Sequence, residues 1–119
     1  MRKKYIVEIG MGADLHGQDM TKASRRAVKD AISRSCLCGL QAILGLEDLD
    51  DVYVDVTVAV PAPAEVDCEA VLAELPVGRR NIQVVQGGMS APAIFVERFA
   101  DKNEDVVVAV AAVTVSVDI

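Results

Sequence analysis

The sequence predicts an α+β fold in which a mixed β-sheet carries its helices on one face, with the other face buried in a homo-oligomer. Three observations lead there. Five segments read as strands, most of them alternating apolar and other residues with period two. Only one long segment, from Asp19 to Ser35, repeats with helical period. The last strand is apolar on both parities, so both of its faces require burial, and a single helical layer covers only one.

The elements follow in chain order. From Tyr5 to His16, Tyr5, Val7, Ile9, Met11, Ala13 and Leu15 alternate with Ile6, Glu8, Gly10, Gly12, Asp14 and His16, which predicts a strand with one buried face. In DMTKASRRAVKDAISRS, Met20, Ala23, Ala27, Val28, Ala31 and Ile32 share one side of a helix, with Asp19 or Thr21 as N-cap. A break near Gly39 and a short apolar turn ending at Gly45 come next. DVYVDVTVAV places Val52, Val54, Val56, Val58 and Val60 on one strand face, and Pro61 and Pro63 end the strand. A short helix within DCEAVLAELP is capped by Asp67, and NIQVVQGG is a third strand that stops at its glycines. AIFVERFA suits a helix by spacing and a strand by its β-branched and aromatic content; strand is expected, forming a hairpin with the last segment across DKNED. VVVAVAAVTVSV, Val106 to Val117, is the final strand, too short to span a bilayer as a helix.

Composition narrows the function classes. A chain of 119 residues is one domain, 1–119, with a single core. Hydrophobic residues make up 52% of it but aromatic residues only 3%, so the core must be aliphatic. Twelve basic against eighteen acidic residues give a net charge of −6, which repels a polyanion and comes without a stacking platform. No nucleic-acid partner is expected, and no membrane. Cys36, Cys38 and Cys68 have neither disulfide-framework nor zinc-knuckle spacing and read as reduced thiols of a cytoplasmic protein. The basic opening MRKKYIVEIG lacks the apolar core of an export signal.

The chain's one histidine lies in GMGADLHGQD. In an extended strand, Asp14 and His16 project in parallel about 6 to 7 Å apart. They could hold a water, a metal or a substrate proton, with His16 as acid–base and Asp14 orienting it. Gly10, Gly12 and Gly17, lacking side chains, would be the ligand-binding backbone that lets a ligand approach, and the following helix would offer free N–H groups to an anion. The structural alternative is that the glycines mark a bend, Asp14 caps a turn and His16 packs there; residue chemistry alone leaves the two open. Lys22 and Arg26 are the best candidates for an anionic part of the ligand, although Lys22, Arg25, Arg26 and Lys29 also describe a solvated helix face. QGGMS, Gln86 to Ser90, could donate N–H groups to an oxyanion or simply relieve a sharp turn. Arg79 and Arg80 read as loop charges, and Asp101, Lys102 and Asn103 as a turn. No HExxH motif, paired-cysteine motif or nucleophile elbow is present. The cofactor, any metal and whether the protein is an enzyme stay open.

Gly10, Gly12, Asp14, His16 and Gly17 fit the pattern GxGxDxHG, which resembles that of a family of small bacterial proteins with relatives in cyanobacteria and plants. GQDMTKASRRAVKDAI, DKNED and AVAAVTV resemble the same family's helix, loop and final strand, so the likeness spans nearly the whole chain. It implies that the five motif positions matter, and adds weight to the DKNED turn. It implies no chemistry, because the family has no established activity. The layout is also similar to that of the Bacillus-type chorismate mutases, which implies a trimer with ligands bound between subunits. The combined expectation is a cytoplasmic homo-oligomer, a trimer by that likeness. It would carry a small-molecule site for a polar or anionic ligand near a subunit boundary, of lyase, isomerase or hydrolase type. The competing class is a non-catalytic binding or assembly module.

Overall fold

The computed structural model describes all 119 residues, Met1 to Ile119. Its strands are β1 (Arg2–Asp14), β2 (Tyr53–Val60), β3 (Arg79–Gln86), β4 (Met89–Pro92) and β5 (Asp105–Asp118), and its helices α1 (Met20–Ile32), α2 (Gly39–Ala42) and α3 (Cys68–Leu72). The sheet is mixed and runs β1-β5-β2-β3. β5 is antiparallel to β1 and β2, while β2 and β3 are parallel. β4 pairs with Asp105–Val108 of β5, just beyond the stretch of β5 that β2 occupies.

One face of the sheet is the core. Val54, Val56, Val58 and Val60 of β2 and Val107, Ala109, Ala111, Val113, Val115 and Val117 of β5 are buried there with Met20, Ala23, Ala27, Val28 and Ala31 of α1. These are five of the six helical positions that the period predicts; the sixth, Ile32, is only partly buried against the core. Asp19 caps α1, its carboxylate accepting from the Lys22 N–H at 3.0 Å, and Asp67 does the same for α3 through Ala70 at 3.3 Å.

β1 buries the parity opposite to the one its apolar residues suggest. Glu8, Gly10, Gly12 and Asp14 face α1, while Val7, Ile9 and Met11 are 51 to 57% exposed on the open side of the sheet. The cause is the close approach of α1. A Cβ on Gly10 would lie 2.3 Å from the Ala31 nitrogen, and one on Gly12 2.4 Å from the Ala27 nitrogen. The glycine gap therefore admits a helix backbone. β1 also ends at Asp14, two residues short of the predicted strand end.

AIFVERFA is the other departure. Residues 93–96 are irregular and Glu97–Phe99 form a 3₁₀ turn, so the strand paired with β5 is the preceding MSAP. Gly88, at φ +65°, makes the entry to β4; a Cβ there would meet the Val108 carbonyl oxygen at 2.1 Å. Arg79 and Arg80 begin β3 instead of lying in a loop. No helix is long and apolar enough to cross a membrane.

Candidate functional site

Where β1 gives way to α1 the backbone turns through two consecutive left-handed residues, Gly17 at φ +95° and Gln18 at φ +50°. A non-glycine residue in that region costs about 1 kcal/mol or more and persists only where its surroundings hold it. Gln18 is held from both ends of its amide. Its Nε2 donates to the Asp105 carbonyl at 2.6 Å, and its Oε1 accepts from the Lys102 N–H at 2.7 Å. The loop before β5 is thereby tied to the corner.

Asp101 occupies the centre of that loop, and its side chain is fully buried. Its carboxylate accepts from the Gly17 N–H at 2.7 Å and the Val96 N–H at 2.8 Å, and it faces His16 Nδ1 at 2.8 Å. Burial works to raise this carboxyl. Hydrogen bonds from His16, Val96 and Gly17, together with the imidazolium charge, overcome that and hold it at about 2. An ionised carboxylate can only accept, so Nδ1 carries a proton, and the ring's other nitrogen, Nε2, is the one left to gain or lose a proton. Nε2 makes no hydrogen bond within the chain. The His16 ring also packs on Phe99, with centroids 4.9 Å apart.

The expected partnership of His16 with Asp14 is corrected by this arrangement. Because the strand ends at Asp14, the two side chains do not share an extended face. Asp14 is 3% exposed, accepts from the Asp19 N–H at 2.8 Å and lies 3.5 Å from Arg26. It anchors the start of α1, while His16 belongs to Asp101. Arg26 is occupied as well, donating to the Ala13 carbonyl at 2.6 Å. Arg25 pairs with Glu74 at 2.7 Å, whereas Lys22 makes no ion pair.

A cleft of about 420 Å³ opens over the corner, lined among others by Asp14, His16, Gly17, Lys22, Glu65 and Lys102. Of the residues expected at a site, His16, Asp14, Gly17 and Lys22 meet there; Gly10 and Gly12 lie under α1, and Arg26 faces the neighbouring basic depression. Lys102 lies 3.9 Å from Glu65 across the rim. Gln18, Phe99 and Glu65 had no signal that spacing could reveal, and Asp101 looked like an ordinary turn residue. No three His, Cys, Asp or Glu side chains cluster closely enough to hold a metal ion.

A family model described as a conserved hypothetical protein, Lin0512, matches residues 4–115. The chain is similar to the crystal structure of an FtsZ-like protein of unknown function from Nostoc punctiforme. The two are 42% identical over 99% of this chain and 98% of that one, with a TM-score of 0.90. The comparison with curated proteins found no match.

Proposed function

The chain belongs to the Lin0512 family of conserved hypothetical proteins, and from that premise we propose that its β1–α1 corner binds a small anionic molecule on which His16 acts as general acid–base. The observation that carries this reading is the buried Asp101 carboxylate on Nδ1, which leaves Nε2 over a polar cleft. Asp101 is the positioning residue, and Lys22 and Lys102 supply positive charge at the rim. Proton transfer of this kind serves a lyase, an isomerase or a hydrolase equally.

The structural reading claims a different set of residues. Gly10, Gly12, Asp14 and Gln18 are all engaged in holding helix, strand and loop together, and they account for much of the motif without any ligand. The division is therefore by residue, with His16 left over for chemistry.

The protein is further proposed to work as a closed homo-oligomer that covers the open sheet face, a trimer by the layout it resembles, with the cleft near the subunit boundary. Val7, Ile9, Met11, Met89 and Val110 are exposed on that face, and Leu15, Phe95 and Phe99 are exposed towards the corner. Three free cysteines support a cytoplasmic setting.

Thermal shift with inorganic phosphate, malonate and succinate tests the site. At least one should raise the Tm of the wild type and fail to raise that of His16→Asn or Lys22→Ala. Without anion, the Tm of His16→Asn should stay within about 5 °C of the wild type. If His16→Asn instead unfolds or disassembles the protein, or leaves the anion response intact, His16 is a structural residue.

A further inference from the structure

Away from the corner, a second cavity of about 320 Å³ lies among the end of α1, the segment leading into α2, and the core face of β2 and β5. Its walls are mostly aliphatic, with Ile32, Leu37, Leu49, Val54 and Val113 among them, and Ser35 and Gln41 also reach the lining. One acidic group faces this lining. Glu8 is 7% exposed, and its Oε2 is the only buried side-chain oxygen or nitrogen in the protein without a hydrogen-bond partner.

A buried acceptor left unpaired costs on the order of 1 to 3 kcal/mol, and more when it is charged. β1 would lose nothing in strand geometry with valine at this position, and the neighbouring core residues are valines. The volume falls within the range of small-molecule pockets, which are apolar with a few placed polar groups. Glu8 and Asp14 are six residues apart on β1, about 20 Å by strand rise, so the cavity is not part of the His16 cleft.

We propose that this cavity is a binding site for a small apolar amine, whose hydrocarbon part fills the aliphatic walls and whose ammonium donates to Glu8. An ammonium supplies both the missing donor and the opposite charge, which a neutral alcohol supplies only in part and a carboxylic acid opposes. Burial pushes the Glu8 carboxyl above its usual range, and a bound ammonium would draw it back down.

Calorimetric titration of the protein with hexylamine, 1-hexanol and hexanoate at neutral pH tests the site. Hexylamine should bind about tenfold or more tightly than hexanol, hexanoate should not compete, and Glu8→Gln should bring hexylamine down to the level of hexanol. On the unaltered protein, the Glu8 side-chain carboxyl followed by carbon NMR should titrate at lower pH with hexylamine than without. Equal affinity for amine and alcohol, binding that survives Glu8→Gln, or a Glu8 titration that hexylamine leaves in place would each overturn the proposal.

Discussion

At Asp101 a single buried carboxylate takes two backbone N–H groups and an imidazole, and this sets how acid acts on the protein. Its folded value is depressed to about 2, below the ordinary aspartate value of about 3.9. The sign follows from linkage: the stabilisation is complete above pH ~4 and is lost as pH falls from ~4 through ~2. Asp101→Asn should therefore lower the Tm at pH 7 and flatten its fall between pH 4 and pH 2, as calorimetry across that range would register. Glu8 works in the opposite direction. Its carboxyl is raised by burial, so ionisation penalises the folded state increasingly as pH rises above the usual glutamate value. Glu8→Gln should raise the Tm at pH 7 and give little or no gain at pH 4; an equal gain at both would mean that burial does not act through charge. Neither residue announced itself by type. His16, unique in the chain, was legible as a candidate, but its true partner lies 85 positions away, and no periodicity connects a turn aspartate with a corner histidine.

Among the elements, α1 and β1 define the architecture by how near they come. Period and capping made α1 readable to within a residue at its start, and β2 was readable because its core-facing positions are valines that alternate with other residues, while β5, apolar on both parities, could be read as a strand but not for which face is the core. β1 misled because glycine has no hydropathy signal. Its apolar parity looked like the buried one, yet the side that accepts α1 is the side with no side chains at Gly10 and Gly12. AIFVERFA misled for a related reason, since its residues have strand propensity but Asp101 and Gln18 fix the loop around them instead. Gly12→Ala tests the helix contact. The added methyl would fall 2.4 Å from the Ala27 nitrogen and 2.5 Å from the Ala23 carbonyl oxygen, atoms of a helix backbone that cannot rotate away. Destabilisation of about 3 kcal/mol is expected in urea denaturation, at the upper end for overpacking. A loss below about 0.5 kcal/mol would mean that α1 rides further from the sheet than these distances imply.

The whole molecule is a slab, 52 × 23 × 18 Å, with a radius of gyration of 16.0 Å. A compact domain of this length has a radius of about 13.5 Å, so the chain spreads its sheet instead of wrapping it. Layer architectures bury both faces of a sheet, and here only one is covered within the chain. The uncovered face has two unlike halves. One is polar, with Arg2 paired to Asp55 at 2.7 Å and Tyr53 beneath the guanidinium. The other holds Val7, Ile9, Met11, Met89 and Val110. A second copy meeting the apolar half with its own would exclude water from those residues, while the paired charges remain towards solvent at a cost near zero. Ile9→Lys places a charge at the centre of the apolar half, on a residue already 56% exposed, so the fold has no reason to suffer. Light scattering coupled to size exclusion should give a multiple of 12.7 kDa for the wild type and the single-chain mass for Ile9→Lys, with an unchanged circular dichroism spectrum. If the wild type already elutes as one chain at tens of micromolar, or if the lysine leaves the assembly intact, this face does not join copies of the protein.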